Sequence, residues 1–147
     1  MASSLETALL TVVRTLEDFG TSNSSVADET SLRNQSLAAI IRFGSTAPEP
    51  VGSSNEWGFI VTLYIDVFFL KKGGEQGVYY NNLMGTVIPE IVDAILGYPT
   101  LDGETDVMRC IPLAVEPGDS EDLKNYLMVS IPVEIMMRRK ITNAEWD

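Results

Sequence analysis

The sequence predicts an α+β fold: one antiparallel or mixed sheet of about four strands packed by two helices, in the order α-β-β-α-β-β. Three observations predict it. Trp57 to Leu70 has an unbroken apolar set at its odd positions, namely Trp57, Phe59, Val61, Leu63, Ile65, Val67 and Phe69. Asn125 to Arg139 repeats the pattern with Leu127, Val129, Ile131, Val133, Ile135 and Met137. Two other stretches, residues 4–18 and 78–96, place apolar residues at helical spacing instead. With 147 residues and 45% hydrophobic composition, the chain fits one domain spanning 1–147 that buries roughly 70% of its unfolded surface.

Each element has its own signals. Ser4 can cap a first helix, whose apolar face is Leu5, Leu9, Val12, Leu16 and Phe19 and which Gly20 ends. Residues 21–36 are rich in Ser, Asn and Thr and predict a long irregular loop. Leu37 to Phe43 reads as a strand, with Ala38 and Ala39 leaving a helical turn open. A second long loop is predicted over 45–56, where Pro48, Pro50 and Gly52 sit among serines, so this strand and Trp57–Leu70 can form a hairpin with a long tip. Lys71 to Gly77 is a glycine-rich loop. In the second helix Pro89 predicts a kink or a tightened start, and Gly97 and Pro99 stop it. Asp106 to Glu116 is a further strand, joined to the last one across Pro117-Gly118-Asp119-Ser120. Pro112 and Pro132 each remove a ladder donor and are expected at edges or bulges. Residues 141–147 form a polar tail.

Charge and composition narrow the function. The 21 acidic against 10 basic residues give a formal charge of −11, which disfavours sequence-wide attraction to nucleic acid. A negative wall can still border DNA, because it repels phosphate and lets a duplex slide past. Cys110 is the single cysteine, so the chain has neither an internal disulfide nor a cysteine-based zinc cage, and a reducing cytoplasm fits best. Met1 to Leu10 lacks the basic start of an export signal, and Trp57 to Leu70 is interrupted by Asp66 before it could span a bilayer. A soluble protein is expected, with no membrane partner.

The search for chemistry is negative. Without histidine the commonest general base and metal ligand are missing, and Cys110 has no partner thiol. Gly73-Gly74 and Gly77 match no phosphate-binding loop. The acidic pairs Glu17-Asp18, Asp28-Glu29 and Glu121-Asp122 lack calcium-loop spacing and read as solvated charge. No catalytic residue, cofactor or metal is expected.

The surface is more informative. The even positions Ile60, Tyr64, Phe68 and Leu70 are also largely apolar, so the second face of that strand is expected to meet a partner. Asp66 on this face is either an exposed edge position or half of a subunit-interface ion pair. Lys71-Lys72 and Arg138-Arg139-Lys140 hold five of the ten basic residues. They are either solvated strand ends or docking points for an acidic neighbour, and they join into one patch only if the two long strands run parallel. Trp57, Tyr64, Asp66, Phe68, Lys71, Lys72, Arg138, Arg139 and Lys140 are therefore the candidate interface residues.

The order and length of these elements resemble the tail terminator proteins of long-tailed bacteriophages. The likeness rests on the N-terminal helix, WGFIVTLYIDVFFL, the stretch GVYYNNLMGTVIPEIVDAILGYPTLDGETD and the closing LMVSIPVEIMMRRK. Within it, Tyr98-Pro99-Thr100-Leu101-Asp102-Gly103 is similar to the family's loop between second helix and third strand. The resemblance implies a structural virion subunit, assembled in the host cytoplasm, that forms a ring, usually a hexamer, at the head-proximal end of the tail tube. Such a ring ends tube growth and offers a surface to the head connector or head-completion protein, while DNA passes through its lumen without sequence-specific binding. It involves no turnover.

Two alternatives stay open. Similar subunits serve as other head-tail joining or tail-tube components of the neck. A small-ligand-binding α+β domain could instead line a pocket with Trp57, Phe59, Tyr64, Tyr79 and Tyr80. An enzyme working through carboxylates alone has no converging acid pair to nominate. If Asp66 serves an interface, Asp66→Lys leaves the monomer folded and impairs assembly; normal tails from that variant would count against the role.

Overall fold

The structure is a computed structural model, and it describes residues 4–27, 35–50, 56–70, 82–101, 103, 107–118 and 126–140. The expected loop over 71–77, the first residues of the second helix and the 141–147 tail lie outside these. The described elements are α1 (Ser4–Val13), β1 (Ser24–Val26), β2 (Leu37–Pro50), β3 (Glu56–Leu70), a π-helical turn (Leu83–Val87) running into α2 (Ile88–Gly97), β4 (Val107–Pro112), β5 (Glu116–Gly118) and β6 (Tyr126–Lys140). The α+β class holds, but six strands replace the expected four. They form one mixed sheet in the order β1-β2-β3-β6-β4, with β5 following β4 along the same edge of β6. Only the β1–β2 pairing is parallel.

The two long strands form the middle of the sheet. β3 and β6 pair antiparallel without a bulge, from Glu56↔Lys140 to Leu70↔Tyr126. Odd residues therefore face odd residues, as in Leu63↔Val133 and Ile65↔Ile131, and both apolar sets share one face. That face and the two helices enclose the core: Leu63, Ile65, Val67, Ile131, Val133 and Ile135 are fully buried with Leu9, Val13, Ile91 and Ile95. Burying a branched aliphatic side chain contributes roughly 1.5–3 kcal/mol, so this layer dominates stability.

The departures from expectation have local causes. Helix α1 ends at Val13, not at 18, because its last turn tightens: Thr15 and Leu16 donate to Val12 and Val13, and the Thr15 hydroxyl bonds to the Val12 carbonyl at 2.7 Å. Phe19 still reaches the core. The 21–36 segment contains β1, held by side chains and not by apolar alternation. Arg14 donates to the Ser24 hydroxyl (2.8 Å) and carbonyl (2.9 Å), while Asn23 donates to the carbonyls of Asp18 (2.7 Å) and Leu37 (3.0 Å). Before Pro89 the helix widens into a π turn, so the start is not tightened, though the helix is not a regular rod there. Pro89 has no N–H for the Gly85 carbonyl, and Ile88 bonds to Leu83 in the i→i−5 register of a π turn.

The predicted 45–56 loop is mostly strand. β2 runs on to Pro50 opposite Trp57, so the hairpin was correctly expected, but its tip is confined to 51–55, outside the described residues. A bulge at Gly44 bends β2, and a Cβ there would lie 2.5 Å from the Tyr64 ring and 2.7 Å from the Thr62 carbonyl oxygen. The bulge also explains how a strand tolerates two prolines. Ala39 donates to Asn23 on the β1 side, so odd residues of β2 turn their backbone polar groups outward as far as Phe43. Skipping Gly44 shifts the phase, and Thr46, Pro48 and Pro50 then face outward. Neither proline removes a hydrogen bond from the ladder.

The opposite edge follows the same rule. Leu113 donates to Pro132, so residues 109, 111 and 113 face β6, and Pro112 turns its donorless nitrogen outward. Pro132 lies in an inner strand, but its nitrogen faces the break between β4 and β5, where Leu113, Ala114 and Val115 bulge out of the ladder. Three prolines thus remove donors from the two edges of the sheet, which discourages strand addition by another chain. Restoring those donors in Pro48→Thr/Pro50→Thr/Pro112→Val should leave the unfolding midpoint within a few degrees and raise aggregation on storage, measured by light scattering. A triple variant as clear as the parent would contradict this role.

Candidate assembly surface

The face of the sheet away from the helices has a closed half and an open half. In the closed half, Ala38, Ile40 and Phe68 form a small buried cluster with Tyr126 and Met128 against it. The Phe68 and Tyr126 rings meet edge to face at 6.4 Å, and the Tyr126 hydroxyl donates to the Gln35 carbonyl at 2.9 Å. Phe68 is fully buried and so takes no part in a surface, contrary to its selection as an interface residue.

Asp66 sits at the border between the halves. It lies on an inner strand at 2% exposure, which overturns the exposed-edge reading. Its carboxylate accepts the Ser130 hydroxyl at 2.6 Å and pairs with the Arg42 guanidinium at 2.8 Å, so its partner belongs to the same chain. The register that brings them together places Ile40 and Ser130 opposite Asp66, and Arg42 one step along, opposite Tyr64. From there the guanidinium also covers the half-buried Tyr64 ring, 4.4 Å from its centroid. Asp66→Lys would put a cation against Arg42 inside the sheet, and the expectation that this variant folds normally is withdrawn.

Beyond Asp66 the face opens. Every residue of β2 from Arg42 to Pro48 is exposed, and on the helix-side face Phe43 is 51% exposed although Ile41 and its ladder partner Leu63 are buried. Among the described residues no strand covers the outer edge of β2 past Ile41. This half of β2 projects about 25 Å at roughly 3.3 Å per residue. Ile60, Thr62, Glu134 and Met136 are half-buried beside it, and Arg109 and Arg138 are exposed at the far end. Met108 and Leu113 expose large apolar groups along the opposite edge.

The two long strands run to opposite ends of the sheet. Because β3 and β6 are antiparallel, β3 leaves the sheet at Leu70, opposite Tyr126, whereas Arg138 lies opposite Gly58 at the other end. Lys71 and Lys72 lie outside the described residues. Arg139 and Lys140 stand opposite Trp57 and Glu56 in the ladder, so the β6 cluster and Trp57 do share one end of the sheet. Arg42, Ser130 and Arg109 were missed by the sequence reading. Aligning 37–43 antiparallel to 63–69 would have brought Arg42 beside Asp66, but the expected hairpin left its register open because 45–56 was read as a long tip.

The geometry offers little to catalysis. Phe59 is on the helix side and Tyr64 on the opposite side, so these two aromatics cannot line one pocket; Tyr79 and Tyr80 lie outside the described residues. Among the described residues no group of three His, Cys, Asp or Glu side chains is placed to hold a metal ion. Cys110 is buried and burial pushes its thiol up to about 12, so at neutral pH it stays protonated and unreactive. No helix among the described residues is long and apolar enough to cross a membrane. No protein-family model matches the chain, and no curated protein is significantly similar to it.

The Asp66 pair yields an asymmetric prediction. Arg42→Met strands a buried carboxylate with only Ser130 and should destabilise by about 2–4 kcal/mol. Asp66→Asn removes the charge, keeps an acceptor for Ser130 and should cost less. Chemical denaturation of the two variants and the double variant checks this, with the double close to Asp66→Asn alone. Equal costs for the two single variants would contradict the assignment.

Proposed function

We propose that the chain is a structural subunit of a long-tailed phage neck, forming a ring at the head-proximal end of the tail tube that ends tube growth and receives the head connector. The observation that carries this reading is the half-sheet beyond Asp66. A strand exposed from Arg42 to Pro48 and paired along one side, with Phe43 turned to solvent, is a poor terminus for a solitary domain. Its prolines remove the cost of an open edge without covering its apolar groups, which suits a surface kept for a neighbouring subunit. Identical subunits that meet through two different surfaces close into rings when the rotation between neighbours divides a full turn.

Charge supports the same reading. A ring of chains each at −11 would have a lumen that repels phosphate, allowing DNA to pass without being held. The N-terminal helix, the two long strands and the Tyr98–Gly103 loop add the family resemblance. In that loop Leu101 is buried at a positive φ of 53° and Gly103 takes a φ of 81°. Another head-tail joining or tail-tube component would share these features and differ in where it sits on the tail.

Negative-stain images of the purified protein, alone and mixed with tail tubes, test the proposal. Rings with a central channel, and caps at one end of the tubes that stop further growth on adding tube protein, are expected. A chain that stays monomeric at every concentration and leaves tube length unchanged would refute it.

A further inference from the structure

The charges of the described surface are unevenly distributed. The helical layer carries Glu17, Asp18, Glu90 and Asp93, all exposed, and Arg14 beside them donates to Ser24. On α2, Glu90, Asp93 and Leu96 follow one another at three-residue spacing along the face away from the core, and Leu96 is 57% exposed. The opposite side of the molecule differs. Arg109 pairs with Met136 in the ladder, and Arg138 lies two residues further on, so both stand on the open face at its far end. Half-buried Ile60 and Met136 lie beside them, with one half-buried carboxylate, Glu134, on the same face, so two exposed guanidiniums outnumber it there.

From this complementarity we propose that copies of the chain join head to tail, the basic far end of the open sheet face of one copy seating on the acidic outer face of α2 in the next. The proposal rests on the ring reading and names its interface. The occupant is a second copy because the two surfaces are complementary in charge, each carries apolar groups beside its charges, and they lie on opposite sides of one molecule. Two surfaces so disposed give a heterologous contact, which propagates around a ring, where a two-fold contact would stop at a dimer. Edge-to-edge strand pairing is disfavoured by Pro48, Pro50 and Pro112, which leaves the faces. Charge supplies register and speed to such a contact, while burial of Leu96 against Ile60 and Met136 supplies affinity.

The test uses the full-length chain and two surface variants, Arg109→Ser/Arg138→Ser and Glu90→Gln/Asp93→Asn, each checked for an unchanged circular dichroism spectrum and unfolding midpoint. Sedimentation of the wild type should show rings whose association weakens about tenfold or more as salt rises toward 1 M, where the screening length falls to roughly 3 Å. Each variant alone should sediment as a monomer at the concentration where the wild type is assembled. Mixed in equal amounts, they should form one-to-one dimers and nothing larger, since the pair retains one intact interface. Rings that form equally well in either variant, or a mixture without dimers, would overturn the interface while leaving the ring reading in place. A wild type that is monomeric throughout would overturn both.

Discussion

The bulge-free antiparallel pairing of β3 with β6 is the constraint on which the rest of the structure depends. Because every odd residue of one strand meets an odd residue of the other, one face collects the aliphatic side chains that the helices cover. A slip of one residue would turn one strand over relative to the other, for β3 sending Leu63 and Ile65 to the open side and bringing Asp66 into the core. The same register sets Ser130 opposite Asp66, and the neighbouring β2–β3 register adds Arg42. The buried ion pair therefore helps to specify the alignment that creates it: a slipped sheet leaves an unpaired carboxylate away from water, at a cost of several kcal/mol.

The second organising feature is the division of the sheet along its length. On one side of Asp66 both faces are covered, by the helices and by the Ala38–Ile40–Phe68 cluster. On the other side β2 runs on in solvent. Gly44 stands at this division, and the bulge it permits turns Pro48 and Pro50 outward so that a long exposed strand survives without its missing donors breaking the ladder. Stability is thus concentrated in one half and exposed apolar surface in the other, an arrangement suited to a subunit that folds alone and assembles afterwards.

Where the fold was legible in the sequence, it was through periodicity. β3 and β6 were found to within a residue or so at each end, and both helices were found through their apolar spacing, because a buried face leaves a regular trace. Elements held by polar contacts left none. β1 depends on Arg14 and Asn23, whose roles emerge only once α1 and β2 are in place. The far half of β2 was read as loop since its prolines and serines carry the composition of one, and only the phase shift at Gly44 shows why they are tolerated. Asp66 was singled out correctly as unusual, but its partner lies 24 residues away in sequence, across that same unread stretch. Phe68 was taken for surface because alternation distinguishes two faces without saying which parts of each are covered.

Hydrogen–deuterium exchange on the isolated chain and on assembled tails tests the central claim most directly, that one half of the sheet is a folding core and the other an assembly surface. The isolated chain should protect residues 63–69 and 127–135 up to the global unfolding limit while the outward amides of Phe43 and Thr46 exchange freely. On assembly, protection should appear over 42–48 and around Arg109 and Arg138, with the core unchanged. Exchange over 42–48 that is already slow in the free chain, or that assembly leaves untouched, would contradict the account.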